Sequence, residues 1–505
     1  MKSSKIILAA IAAIALGNFQ AEAKSPKRGV SENILALKEE IDVLRPGVCW
    51  YYNWANTPNK NVIDCLGEDF AFLPMCWSAN YNADNIRNFC KEHPETKYLL
   101  GFNEPNFVAQ ANMTPEAAAK AWPAVQALAK ELGLELVGPA VNYSPDGPQN
   151  DPYTWYANFV KLVGVDAFDY IAIHNYSGGK NGMKDMIDRF YDLYGKKIWV
   201  TEFCNWTNNV TPEAQISSMI EQLEYLEKSD RVFRYSWFKA KGSVSNHPSY
   251  GLIMPQTGYG ERQLSEQGKV YVYMTDFDAT VFHSTDALVP ASEYISSKGL
   301  MLGSTNDTTN PKPIEISRFN SGATVDYQFD IPSDGEYTLI LRASGIGDPS
   351  RFDPTLGAYQ VDDDGKETAT LFAPTSFKLP NDDKVYTELK MPMTLKAGKQ
   401  RIRIKDTNPY MPSGIRISTL SFNPNSGVES LTTSTGKVEC AIENGNFIIR
   451  GAELANAIVA DLNGRILFNG LPADGIITAD NLATGVYLLR ITATDGSQTT
   501  IKIIK

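Results

Sequence analysis

Two glutamates, Glu104 and Glu202, are the residues of this chain best suited to do chemistry together. The first closes the run YLLGFNEPNF (98–107), in which apolar, β-prone residues lead into an Asn-Glu-Pro triplet and Pro105 stops the strand from continuing. The second closes KKIWVTEFCNW (196–206) in the same manner, beside further aromatic residues. Paired carboxylates are what glycoside hydrolysis requires, one donating a proton to the leaving oxygen and the other serving as nucleophile or base on the opposite face of the sugar. Either glutamate alone reads equally well as a strand end paired with a lysine or arginine. The pair, each with aromatic neighbours, favours catalysis.

Other polar groups fall at comparable places. Asn103 sits beside Glu104 and suits a hydrogen bond to a sugar 2-hydroxyl, a contact that strengthens in the transition state. His174 and Tyr176 end the run IAIHNY. Glucose rings present C–H faces that stack on aromatic rings at low entropic cost. Trp50, Tyr52, Trp54, Trp77, Trp206, Trp237 and Phe238 lie at or just past strand ends, and Trp77, Trp206 and Trp237 are the expected sugar platforms. Trp50, Tyr52 and Trp54 share one face by alternation, lining a cleft or filling a core. The four histidines, His93, His174, His247 and His283, are scattered without ligand spacing, so neither a catalytic metal nor a cofactor is expected, and a structural calcium in the later β-rich region is left open.

Such residues work only if one scaffold gathers their strand ends. Strands read at 47–54, 69–77, 98–106, 134–142, 168–176, 197–203 and 232–238 alternate with amphipathic helices, among them 114–132 and 211–230, each opened by a Thr-Pro pair suited to the cap and first turn. Strand and helix in alternation imply a parallel sheet with crossover helices, and this many units suit a closed (β/α)8 barrel spanning 24–275. SYGLIM (249–254), followed by a helix near 264–274, is the candidate for the eighth strand. In such barrels the chemistry sits at the C-terminal strand ends, where both glutamates fall.

Beyond about residue 275 helical periodicity gives way to short alternating runs such as ATVDYQFDI and KQRIRIKD, the texture of a β-sandwich or jelly roll over 276–424. A Ser/Thr-rich linker, NPNSGVESLTTSTG, precedes a small all-β unit at 427–505 whose NG and DG dipeptides signal hairpins. At the other end, Lys2 and Lys5, the apolar run IILAAIAAIALG and the Ala-Glu-Ala site at 21–23 read as a secretory signal peptide, 1–23. The apolar run falls short of the ~20 residues that span a bilayer. The expectation is a secreted or cell-surface monomer with no membrane insertion. A net charge of -11 argues against nucleic acid as a partner and is compatible with a neutral polysaccharide. Of six cysteines five lie in the first half, which argues against a disulfide framework and leaves room for one bridge among Cys49, Cys65, Cys76, Cys90 and Cys204.

With these motifs in view, Asn103-Glu104-Pro105 and Thr201-Glu202-Phe203 resemble the retaining glycosidase barrels of clan A. That resemblance implies that Glu104 is the acid/base, that Glu202 is the nucleophile, and that His174 and Tyr176 orient the nucleophile and contact the sugar. The clan holds its pair on strands four and seven, whereas the strands counted above put them on three and six. Either an early strand near 61–66 is unread or the barrel is irregular. The ordered series GVCWYYNW, FLPMCW, GFNEPN, VGPAVN, IAIHNY, WVTEF and YSWF is more closely similar to glycoside hydrolase family 128, which implies a β-glucan substrate and endo-β-1,3-glucanase activity over about 46–275. A relative acting on mannan or xylan, and a silent glycan-binding barrel, are the alternatives. TVDYQFDIPSDGEYTLILRASG and LKAGKQRIRIKD are similar to family 6 and 35 carbohydrate-binding modules. The ending GVYLLRITATDGSQTTIKIIK resembles a type IX secretion sorting domain, implying the export machinery as a partner.

Overall fold

The computed structural model describes residues 24–504 apart from 146–149, 243–245, 248, 256–261, 349, 351, 411–413, 425–438, 444–445, 452, 462–464, 480–481 and 483–485. The leader read at 1–23 and most of the Ser/Thr-rich linker lie outside the described residues. Lys24–Asn423 pack as one compact unit and Pro424–Lys505 as another.

Eight parallel strands and their crossover helices begin the first unit. They are β1 (Arg28–Ser31), α1 (Lys38–Leu44), β2 (Trp50–Tyr52), β3 (Ala71–Phe72), α2 (Ala83–Glu92), β4 (Tyr98–Leu100), α3 (Pro115–Leu132), β5 (Glu135–Val141), α4 (Pro152–Val163), β6 (Tyr170–Asn175), α5 (Lys180–Tyr194), β7 (Ile198–Phe203), α6 (Pro212–Lys228), β8 (Val232–Phe238) and α7 (Glu266–Tyr273). The sheet runs in the order β3-β2-β1-β8-β7-β6-β5-β4. Leu100 N donates to Pro74 O and Cys76 N to Leu100 O, at 3.0 and 2.9 Å, so the two end strands meet and the ring closes. The helix ends follow from local chemistry. Thr114 and Thr211 accept hydrogen bonds from Ala117 N and Ala214 N, with Pro115 and Pro212 in the first turns, as the Thr-Pro pairs predict.

The strand register corrects the sequence reading at three points. The unread early strand is Arg28–Ser31; residues near 61–66 form only a short 3-10 turn, Ile63–Cys65. The segment 249–254 does not close the barrel and contributes a single antiparallel bridge, Ile253 to Leu264. Counting β1, Glu104 follows the fourth strand and Glu202 lies on the seventh, which removes the mismatch with the clan. The strands read at 47–54, 69–77 and 98–106 are shorter than the runs suggested, spanning Trp50–Tyr52, Ala71–Phe72 and Tyr98–Leu100.

Inside the ring, Trp50, Tyr52, Leu73, Met75, Leu100, Val137, Ala140, Ala172 and Trp199 form a packed column. Gly29 makes room for it: a Cβ there would lie 2.2 Å from the Trp50 ring. β1 is held by its first residue. The Arg28 guanidinium, 2% exposed, bonds to Glu227, Tyr235 and the carbonyls of Tyr271, Met274 and Thr275. Arg28→Ala would leave Glu227 as a buried, uncompensated carboxylate, and an expected loss of about 3–5 kcal/mol is checked by urea unfolding. A loss below ~1 kcal/mol would show that the pair does not hold β1.

The remainder of the first unit is β-rich. Strands Glu367–Ser376, Thr355–Val361, Gly398–Asp406, Ile314–Ile331, Ile415–Pro424, Gly335–Gly345 and Thr387–Leu395 follow one another in a mainly antiparallel sheet. Period-two burial is clear in Thr387–Leu395, where Leu389, Met391, Met393 and Leu395 point inward. Its apolar side joins the barrel's outer core without a break. Ser296 and Ser297 donate to Glu224 of α6, and Ser304 to Glu266 of α7. The described elements of the second unit are all β-strands, with a core including Phe447, Val459, Leu489 and Ile501. All six cysteines are free thiols, so the single bridge allowed for among the first five is absent. No helix among the described residues is long and apolar enough to cross a membrane.

Candidate active site

Backbone ladders fix where the two glutamates point. Asn103 N donates to Trp77 O and Glu104 N to Ala140 O, both at 2.9 Å, so the Asn-Glu pair is clamped between the chain that follows β3 and β5 itself. Glu104 itself has φ 41°, a left-handed conformation that costs a non-glycine residue on the order of 1–3 kcal/mol. The chain turns there, directly before Pro105. On the facing side the β6–β7 ladder sets His174 opposite Glu202. All three side chains are deeply buried: Glu104 is 6% exposed, Glu202 4% and His174 0%.

Glu202 is held by three donors. Trp54 Nε1 and Tyr52 Oη donate to its Oε1 at 2.7 and 3.0 Å, and the Tyr176 hydroxyl donates to Oε2. His174 Nδ1 lies 2.9 Å from Glu104 Oε1 and 3.4 Å from Glu202 Oε2, bridging the two carboxylates. One oxygen from each glutamate and the imidazole nitrogen fall within 4.8 Å of one another. The nearest oxygens of the two glutamates thus lie closer than the about 6.5–9.5 Å by which inverting enzymes separate their carboxyl groups to admit a water. These three residues are also the cluster among the described residues compact enough to hold a cation, but Glu202 already accepts three hydrogen bonds.

Electrostatics follow from burial and proximity. Burial raises Glu202 above the usual carboxylate range, and Glu104 adds to the rise; the His174 charge and the Tyr176 and Trp54 donors oppose it. For His174 burial acts downward, but the charges of Glu202 and Glu104 and the Glu104 hydrogen bond win, raising it and favouring the imidazolium. Were Glu202 to act as a nucleophile it would have to be ionised, and its raised pKa would then place the acid limb of kcat/KM above the ordinary glutamate value of 4.5. Tyr176→Phe removes a donor that lowers Glu202, so the limb moves to still higher pH. A pH profile of kcat/KM reads this directly. An unmoved or acid-shifted limb would show that Tyr176 does not tune Glu202.

A cleft of about 490 Å³ opens above the pair, walled by Trp54, Trp77, Phe107, Tyr176, Trp206 and Phe238. Asn103 also lines it, with Oδ1 buried and lacking a protein partner. Trp77 and Trp206 therefore stand where a sugar platform needs to be, although one face of Trp206 is covered by the His247 ring at 4.0 Å. Trp237 does not. It is 0% exposed, packs on Phe203 and Tyr271, and spends its indole N–H on Tyr250 O, so no sugar can reach it. Phe238, one residue on, faces the cleft instead. Trp50 fills the barrel, whereas Tyr52 and Trp54 above it reach Glu202. The sequence reading offered cleft or core for these three; only their alternation hinted at a stack, and nothing disclosed the two donors.

Residues 33–271 match the family model for a glycosyl hydrolase catalytic core. Among solved structures, an endo-β-1,3-glucanase of glycoside hydrolase family 128, subgroup II, from Pseudomonas viridiflava shares 33% identity over 50% of this chain and 99% of its own, with a TM-score of 0.45. Its counterpart from Sorangium cellulosum shares 31% over 49% and 98%, with a TM-score of 0.43. A subgroup I enzyme variant from Amycolatopsis mediterranei, in complex with laminarihexaose, shares 25% over 49% and 99%, with a TM-score of 0.40. No match was found among curated proteins. Identity of 33% across nearly the full length of a family member, with the strand-four and strand-seven glutamates in place, shows that this chain belongs to glycoside hydrolase family 128 through its barrel.

Proposed function

We propose that the chain is a secreted, retaining endo-β-1,3-glucanase acting on laminarin- or curdlan-type glucans. The observation that carries this reading is the Glu104–Glu202 pair, with carboxyl oxygens within 4.8 Å at the floor of an aromatic cleft. The substrate class follows the 33%-identical relative, itself an endo-β-1,3-glucanase. Glu104 protonates the glycosidic oxygen as Glu202 attacks the anomeric carbon. The C–O bond to the departing chain breaks and a glycosyl ester to Glu202 forms. Glu104 then takes a proton from the incoming water, whose oxygen displaces Glu202 and restores the β configuration. Tyr52 and Trp54 hold one oxygen of the Glu202 carboxylate and Tyr176 the other, which fixes the attacking group, and Asn103 meets the 2-hydroxyl. Reducing-end release from laminarin, curdlan, lichenan, xylan and mannan is the test. Release from laminarin and curdlan, with a ladder of short oligomers, supports the reading; preference for xylan or mannan overturns it.

We infer further that residues 276–424 form a jelly-roll carbohydrate-binding module, supported by the antiparallel pairing and by the likeness to families 6 and 35. Retardation of the chain in laminarin gels should weaken when this region is removed, and undiminished retardation would sink the assignment. The leader at 1–23 and the all-β unit at 427–505 fit export through a type IX pathway. In the native host, a chain ending at Asn423 should remain active but accumulate in the periplasm. Unchanged secretion would remove that role from the C-terminal unit.

A further inference from the structure

The loops that carry two walls of the cleft also carry a second concavity. Trp54 lines the cleft, and Asn56 on the same loop lines a polar groove of about 530 Å³. Trp77 lines the cleft, and Asn80, Tyr81 and Asn82 on its loop line the groove, with Asp84 and Arg87 of α2. The groove thus lies beside the cleft on the β2–β3 side of the barrel's catalytic face. We propose that it is a remote glucan subsite, binding sugar residues outside the reacting pair and setting the enzyme's preference for long chains. The proposal rests on the β-1,3-glucanase reading above.

Its chemistry suits a neutral, hydroxyl-rich chain. The floor is fixed: Asn56 Nδ2 donates to Met75 O and its Oδ1 accepts from Asn82 N, both at 2.9 Å, while Asn82 Oδ1 caps α2 at Asn85 N. These two amides shape the groove and are already bonded. The Asn80 amide and the Tyr81 hydroxyl, by contrast, make no hydrogen bond to the protein among the described residues. One amide supplies donors and an acceptor together, as a sugar hydroxyl requires. Arg87 is not free to attract an anion, because it is paired to Glu131 through Nε and Nη2 and to Asp84 through Nη1. Arg87 is thus outnumbered by two carboxylates and leaves no net positive charge for an acidic polysaccharide, which suits an uncharged glucan. The cleft grips by stacking; the groove offers hydrogen bonds.

The test is a chain-length series. The full chain and an Asn80→Ala/Tyr81→Phe double variant are compared on laminaritriose through laminarihexaose, with Tm measured on both. Asn80 is exposed, and Tyr81→Phe keeps the ring that packs on the core, so the fold should be unchanged. The expected result is a kcat/KM on laminarihexaose lowered about tenfold, ~1.4 kcal/mol for two lost hydrogen bonds, with laminaritriose unaffected. Equal losses on every length, or no loss on the hexaose, would overturn the subsite. Failure of the unmodified chain to cleave any laminari-oligosaccharide would instead overturn the glucanase reading, and the groove's assigned ligand with it.

Discussion

Glu202→Ala is expected to lower kcat on laminarin by about 10⁴-fold or more, the scale seen when a covalent nucleophile is deleted and the rest of the site remains. The geometry leaves no substitute. Beside it stand Glu104, His174 and the phenols of Tyr52 and Tyr176; burial keeps both phenols protonated, and Glu104 is clamped on the facing side of the cleft by β5 through Ala140 O. A second readout separates loss of the nucleophile from loss of the fold. His174 is raised by two carboxylates, with the Glu202 charge the larger of the two. Removing Glu202 should therefore make the imidazole titrate at lower pH than in the parent, which NMR of the ring protons measures. Activity within tenfold of the parent, in a variant whose melting transition is intact, would assign the nucleophile elsewhere.

The glutamates were legible because each closes a β-prone run, and Pro105 marks one ending in the sequence itself. The long helices were legible because Thr114-Pro115 and Thr211-Pro212 state a cap and a first turn. β1 was not, for a reason specific to its place in the ring. Its inward position is Gly29, emptied to admit Trp50, and its first residue is an arginine buried only because Glu227, Tyr235 and three carbonyls await it from distant segments. Neither fact is visible in the four residues RGVS, and missing them shifted the strand count by one.

Trp237 failed through parity. Side chains alternate across a strand, so adjacent residues of β8 face opposite ways, and assigning the cleft to Trp237 when Phe238 faces it is an error of a single position. Trp54 escaped the same rule differently. It lies beyond the end of β2 with φ 59°, where alternation no longer dictates direction, and that turn delivers its N–H to Glu202. Pairings of this kind, formed between loops far apart in sequence, set the ionisation of the site and leave little local trace.

Glu104→Ala should fail in a way that Glu202→Ala does not. Without the acid, departure of an alkoxide from laminarin is expected to slow by about 10²–10⁴-fold, the usual worth of a positioned proton donor. An aryl β-glucoside with an acidic phenol needs no such proton, so its glycosyl ester to Glu202 should still form and then wait for a water that nothing deprotonates. Azide requires no base. It can enter the space left by the shortened side chain and attack the ester carbon, displacing Glu202 from the face on which Glu104 stood. Two displacements, each inverting, make the product a β-glycosyl azide and restore turnover. The close approach of the two carboxyls through His174 supports this route, because a water stored between them for direct attack would demand a wider gap. Proton NMR of the azide product decides the matter: an α-azide, or no rescue on an activated substrate, would exclude double displacement at this pair.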